Sequence, residues 1–224
     1  MISPHDLRAP LGVLFDLDST LYINDELLEE QGLAAFQAIG GGQELSLLMR
    51  VLNDAAVAEP RQMRALLDAI PRESLSNPVR EIGHNIIANW IAPMQLVADA
   101  VPLLNQLEDL GIPFGIITNA PDVQWLKIKR LGLHTRARCI YVSDQFGAHK
   151  PDPTIFLAAA SSLNLDPQNI LMVGDSLASD VFGGCGVGMQ AAWVCREGIP
   201  NPLPELPSGA APIALLTELL PLFG

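Results

Sequence analysis

Asp16 and Asp18 follow directly on Leu11-Gly12-Val13-Leu14-Phe15, an almost unbroken apolar run. A strand buried on both faces reads this way, so both carboxylates are predicted to leave a sheet at its carboxyl end. Open parallel α/β sheets bind their ligands there. Two carboxylates in such a place can divide labour, one as nucleophile and metal ligand, the other as proton carrier. Taken alone, Asp-x-Asp-x-Thr reads equally well as an acidic turn after a strand.

Three more polar interruptions change that balance. Phe114-Gly115-Ile116-Ile117 ends in Thr118 and Asn119, whose hydroxyl and backbone N–H can hold a phosphate oxygen, although a Ser/Thr at a strand end is commonly just a turn. Lys150 is one of only three lysines and is set in a stiff loop by Pro151 and Pro153, whereas Lys127 and Lys129 read as part of a solvated helix. A fixed positive charge of this kind suits a transferring phosphoryl group. Asn169-Ile170-Leu171-Met172-Val173 then delivers Gly174 and Asp175, the latter placed for a hard cation. Asp180, about one helical turn on, can orient that cation's water shell or Lys150.

The elements that must position these groups alternate. The pattern predicts a helix over 98–110, a strand over 114–118, a helix over 121–132 and a strand over 139–142. It continues with a helix over 153–163, a strand over 170–174, a helix over 177–186 and a strand over 190–194. Such alternation predicts an α/β fold with a parallel sheet and right-handed crossovers. Residues 197–210, rich in Pro and Gly, read as a loop before a short terminal helix. From Asn24 to about Pro93 the apolar residues instead recur at helical spacing (Leu27, Leu28, Leu33, Phe36, then Leu47, Leu48, Val51, Leu52). Breaks at Gly40-Gly41-Gly42, Pro60, Pro71 and Pro78 divide this stretch into three or four helices.

The four segments in this order resemble the haloacid dehalogenase superfamily, whose pattern is Asp-x-Asp-x-Thr, Ser/Thr, Lys and Gly-Asp-x4-Asp. Here these are Asp16/Asp18/Thr20, Thr118, Lys150 and Asp175/Asp180, with Ser19 where Gly, Asn or Asp is frequent. The resemblance covers almost the whole chain. Residues 15–22, 117–120, 149–156 and 173–176 look most like the helical-capped small-metabolite phosphatases that include pyrimidine 5'-nucleotidases. It implies a Rossmann-like core over 1–21 and 95–224 and a small α-helical cap over 22–94.

It also implies a Mg²⁺-dependent phosphatase acting on a small phosphomonoester, a nucleoside monophosphate or a sugar phosphate, through an aspartyl-phosphate. Asp16 would be the nucleophile, Asp18 the acid and base, and Thr118, Asn119 and Lys150 the phosphate contacts. Asp16, Asp18 through its backbone carbonyl, and Asp175 would hold the metal, with Asp180 behind them. A phosphomutase shares every one of these core residues and is the alternative, usually needing a cap His or Lys; His84 is the only cap histidine. A non-catalytic binding module on the same scaffold is a further reading, without its usual signature of a lost carboxylate or lysine. Dehalogenases of the superfamily lack the second carboxylate, and the phosphonate hydrolases use a cap lysine, of which residues 22–97 have none.

Composition fits these expectations. With 224 residues, 49% of them hydrophobic, the chain can bury a full core plus a smaller domain. A net charge of −12 argues against a nucleic-acid polymer or an anionic membrane as partner. The same charge repels phosphate, so the site needs a cation and Lys150 locally. Cys139, Cys185 and Cys195 have no metal-ligand spacing, and their odd number without a secretory prefix predicts a reducing cytoplasm. A monomer or homodimer is the expected state, independently of the cysteines. The apolar stretch from Ala211 to Phe223 is too short to span a bilayer.

His149 reads as a loop histidine, and Arg50, Arg61, Arg64, Arg72 and Arg80 as solvated cap charges. Trp90 and Trp125 read as core aromatics, with stacking on a base the alternative, and Tyr22 stands close enough to the first motif for substrate contact.

Overall fold

Six short apolar runs pair in parallel, and their order places the first one in the middle of a single sheet. In the computed structural model, which describes residues 7–23, 34–39, 42–200 and 202–224, the strands are β1 (Gly12–Phe15), β2 (Phe114–Thr118), β3 (Cys139–Val142), β4 (Ile170–Gly174), β5 (Gln190–Val194) and β6 (Ala210–Ile213). The order is β3-β2-β1-β4-β5-β6, so β1 is flanked by β2 and β4 and the direction of winding reverses beside it. A crevice opens at such a switch point, beyond the carboxyl ends of the strands. The fold is the parallel α/β arrangement predicted from the alternation, in the Rossmann-like form that the family resemblance implies.

The described helices are α1 (Gln43–Ala55), α2 (Pro60–Asp68), α3 (Asn77–Ile86, continued by a π-helical turn Ile87–Ile91), α4 (Ala100–Asp109), α5 (Gln124–Arg130) and α6 (Pro153–Leu163), with shorter turns between. β1, β2 and β4 are buried at every position, which explains their lack of period-2 alternation. Leu14, Ile117 and Met172 on the sheet pack with Ile155, Phe156, Ala159 and Leu163 of α6. Burying a side chain of that size stabilises the fold by roughly 1.5–3 kcal/mol. The start of α6 is fixed locally: Asp152 accepts from the Thr154 N–H at 2.8 Å and Pro153 occupies the first turn.

One element departs from the sequence pattern. Ala210–Ile213 is a sixth strand, where a loop and then a helix are expected, and the terminal helix begins only at Leu216. Four residues including Pro212 carry no strand signature of their own. They are tolerated because β6 is an edge strand, where a missing N–H costs little.

The chain divides into two units, residues 1–23, 96–122 and 137–224 forming the sheet unit and residues 24–95 and 123–136 the helical one. Leu27, Leu28, Leu33, Gly40 and Gly41 of the helical pattern lie outside the described residues. Phe36, Leu48, Leu52, Met63, Leu67, Val79, Ile86 and Trp90 are buried. The chain cluster that includes α5 is held by that helix's cations. Lys129 donates to the Asn53 carbonyl at 3.0 Å, and Arg130 donates to Ile91 at 3.2 Å and Ala58 at 3.1 Å. Lys127 is not solvated as its helix suggests; it is buried, with its ammonium 6.0 Å from the centre of the Trp90 ring. Arg80 is likewise occupied, donating to the carbonyls of Leu67, of Ile70 at 2.7 Å and of Leu75 at 3.3 Å at the end of α2. No helix among the described residues is long and apolar enough to cross a membrane.

Candidate active site

Asp16, Asp18, Thr118, Asn119, Lys150, Asp175 and Asp180, all singled out from the sequence, line one cleft of about 200 Å³ together with Ser19, Ser176 and Ser179. Strand register brings them there. Phe15 pairs with Ile116 on one side and Val173 on the other, so β2 runs two residues and β4 one residue past the end of β1, and the residues at their ends share one rim. The Asp16 N–H extends the ladder by donating to the Val173 carbonyl at 2.9 Å, fixing the nucleophile candidate's backbone to the strand that carries Asp175.

Lys150 sits at the centre. Its ammonium lies 2.6 Å from Asp16 Oδ1 and 2.6 Å from Asp180 Oδ1, and the Lys150 and Asp180 side chains are almost wholly buried. Its backbone is held by Asn119: the Lys150 N–H donates to Asn119 Oδ1 at 2.7 Å, and Asn119 Nδ2 donates to the Lys150 carbonyl at 2.8 Å. The Asn119 side chain therefore holds the lysine loop, and its contribution toward an anion is left to its backbone. Asp180 is fixed in turn, its Oδ2 accepting from the Ser176 N–H at 3.0 Å. Gly174 is required for this packing, because a Cβ there would overlap the Asp180 carboxylate.

Burial pushes Asp16 up to about 7; the Lys150 ammonium opposes this, while Asp180 and Asp18 add to it. Burial and then the Asp180 charge raise Asp175 as well. Burial would lower Lys150, but the charges and hydrogen bonds of Asp16 and Asp180 outweigh it and hold the ammonium above its ordinary value. The cleft thus concentrates more negative charge than its one lysine balances.

The donor set fits a hard divalent cation. Asp16, Asp175 and Asp180 each offer a carboxylate oxygen, all within 4.8 Å of one another. Oxygen-only ligands with surplus negative charge suit Mg²⁺. The Asp18 carboxylate is not one of these three.

Three supporting residues escape sequence reasoning. Buried Ser143 follows β3 and accepts from the Ala120 N–H at 3.0 Å. Trp193 on β5 pairs in register with Gly174, and its indole N–H donates to the Asp175 carbonyl at 2.8 Å. Arg196, just beyond β5, donates to the Ser19 carbonyl at 3.3 Å and the Thr20 carbonyl at 2.6 Å. His149 is exposed near Asp144 and Trp90 packs edge-on against Phe36, as read from the sequence. Tyr22, considered for substrate contact, is buried.

A doubly flanked β1 ending in Asp-x-Asp, a buried lysine between two carboxylates and a third aspartate after β4 define a hydrolase class by fold and site together. The chain belongs to the haloacid dehalogenase-like hydrolase family, whose model matches residues 11–188, and it is an enzyme of that family. It is 33% identical over 198 residues to the glyceraldehyde 3-phosphate phosphatase of Methanopyrus kandleri, covering 83% of this chain and 84% of that protein. It is 30% identical over 209 residues to the phosphoglycolate phosphatase of Xanthomonas campestris pv. campestris, covering 88% and 90%. Among solved structures it resembles a HAD phosphatase from Thermococcus onnurineus, with a TM-score of 0.61 at 28% identity over 95% of this chain and 97% of the other.

Proposed function

We propose that the protein is a Mg²⁺-dependent phosphoric monoester hydrolase that clears a small phosphorylated metabolite through an aspartyl-phosphate on Asp16. The observation that carries this reading is the Lys150 ammonium, buried and 2.6 Å from both Asp16 and Asp180. A cation held there neither solvates itself nor serves a surface ion pair; it fixes the attacking carboxylate and offers charge to phosphoryl oxygens.

In the first step an Asp16 oxygen bonds to phosphorus, the bond from phosphorus to the leaving oxygen breaks, and Asp18 gives that oxygen a proton. In the second, water attacks phosphorus, Asp18 takes its proton, and the bond to Asp16 breaks to release phosphate. Thr118, the Asn119 backbone and Lys150 hold the transferring oxygens. Asp16, Asp175 and the Asp18 backbone carbonyl would hold Mg²⁺ with Asp180 in support, and the bound ion supplies further neutralisation of phosphoryl charge.

The phosphatases to which the chain is similar are named for glyceraldehyde 3-phosphate and phosphoglycolate, which supports small sugar phosphates and short phospho-acids ahead of nucleotides. Residues 22–94 are the part proposed to choose among them as a cap. His84, the cap histidine that the mutase alternative would use, is paired with Asp68 at 2.7 Å, and the similar phosphatases support hydrolysis ahead of it. Cys139, Cys185 and Cys195 are free thiols, which supports a reducing cytoplasmic setting.

The test is phosphate release with Mg²⁺, and with EDTA as control, across sugar phosphates, short phospho-acids and nucleoside monophosphates. One strongly preferred compound, silent in EDTA, is the expected result. Isomer formation without phosphate release would replace the hydrolase by a mutase.

A further inference from the structure

The turn that carries Asp18 has an unfavourable backbone conformation at Ser19 and takes a side-chain anchor from a residue remote in sequence. Ser19 has φ 59°, in the left-handed region where a side chain is disfavoured. The N–H groups of Thr20, Leu21 and Tyr22 all converge on the Leu17 carbonyl, at 3.4, 2.9 and 3.0 Å. Buried Thr20 adds no anchor of its own, since its hydroxyl has no hydrogen-bond partner among the described residues.

Arg196 supplies that anchor. Its Nε donates to Ser19 O at 3.3 Å and its Nη2 to Thr20 O at 2.6 Å. The remaining nitrogen, Nη1, meets both oxygens of Asp99 at 3.1 and 3.2 Å, and the Leu216 N–H donates to the same Asp99 at 2.7 Å. Both side chains are largely buried, with 18% and 14% exposed. An exposed ion pair contributes little. Here all three nitrogens of a planar fork are engaged, by one carboxylate on one side and two carbonyls of the first motif on the other, a geometry an ammonium cannot reproduce. The Leu21 carbonyl also accepts from the Val97 N–H at 3.0 Å, so the turn and the segment leading to Asp99 are joined twice.

We propose that Arg196, braced by Asp99, is a positioning residue that aims the Asp18 carboxyl at the leaving oxygen. The inference rests on the acid role given to Asp18 above. Proton donation matters most when the leaving group is basic, so its misplacement must slow alkyl phosphates more than aryl phosphates that leave unaided. A purely structural role would slow both alike.

The experiment measures kcat/KM, which reports leaving-group expulsion, for the preferred alkyl phosphate and for p-nitrophenyl phosphate. It compares the parent with Arg196→Lys, Arg196→Ala, Asp99→Asn and Asp18→Asn. Misplacement by the order of an ångström is expected to cost the Arg196 variants about 10- to 100-fold on the alkyl substrate and under about threefold on the aryl one. Asp18→Asn should show the same bias, more strongly, and Asp99→Asn a weaker one. If Arg196→Ala does not fold, Arg196→Lys and Asp99→Asn carry the comparison. Bias in Asp18→Asn together with equal losses on both substrates in the Arg196 and Asp99 variants would overturn the inference and leave the proposed function standing. Absence of bias in Asp18→Asn itself would overturn the acid role and the inference with it.

Discussion

Asn119 and Lys150 hold each other through a reciprocal pair of hydrogen bonds, 2.7 and 2.8 Å long, between the side-chain amide of one and the backbone of the other. The residue after the second motif's Thr118 thereby sets where the third motif's lysine stands. The backbone of the lysine whose ammonium meets Asp16 and Asp180 is thus pinned by the residue after Thr118.

Breaking that pair should misplace the charge without removing it. Asn119→Ala is expected to keep the fold and to lower kcat/KM by about 10- to 100-fold, since small misplacements at a site of this kind are costly. Steady-state kinetics beside a thermal melt would check this; a variant as active as the parent would show that the clamp is dispensable.

Trp193 offers a separate test because it supports Asp175 from behind. Trp193→Phe keeps an aromatic ring but deletes the donor to the Asp175 carbonyl. Loss of such supporting contacts typically weakens metal binding by about 10- to 100-fold. The expected result is a rise of that size in the Mg²⁺ concentration giving half-maximal activity, with kcat at saturating Mg²⁺ little changed.

What could be read in the sequence was the chemistry, because Asp16, Thr118 and Asp175 each close a run of apolar residues and Lys150, one of three lysines, stands in a proline-stiffened loop. Asp16 after Phe15, Thr118 after Ile117 and Asp175 after Gly174 needed no knowledge of which strands are neighbours. Ser143, Trp193 and Arg196 lie at the ends of β3 and β5, and their importance arises from register: Thr118 pairs with Val142, and Gly174 with Trp193. A lone Ser, Trp or Arg carries no such information before the strand order is known. Lys127 misled for a related reason, its helical surroundings giving no hint that α5 belongs to the helical unit. β6 was hidden by its brevity and by Pro212.

The charge balance of the cleft predicts how stability depends on pH. In the metal-free protein burial raises Asp16 from an ordinary 3.8 to about 7, so the folded state holds its proton more tightly than the unfolded chain does. Its contribution to stability is fully present below about pH 4 and is lost as pH rises toward 7. Asp16→Asn removes that cost. In EDTA the variant should melt above the parent at pH 8, by about 3 °C or more, with the gap narrowing as pH falls through about 5 and closing only near about 4. Equal melting temperatures at pH 8 would mean that Lys150 fully offsets the burial of Asp16.

Gly174→Ala tests the packing under Lys150. The added methyl must displace the Asp180 carboxylate, and overpacking of this kind costs about 1–3 kcal/mol. Both a lowered melting temperature and a loss of activity beyond that of a surface Gly→Ala control are expected. A stable, fully active variant would show that Asp180 can move without consequence.

The most direct test of the account is to trap the phosphoryl group. Asp18→Asn should form the intermediate from p-nitrophenyl phosphate, whose leaving group needs no proton, and should break it down slowly. Borohydride quenching during turnover reduces an acyl phosphate to an alcohol, and peptide mass mapping locates it. The account predicts homoserine in place of Asp16, dependent on both substrate and Mg²⁺; substrate-dependent modification at any other residue, with Asp16 intact, would contradict it.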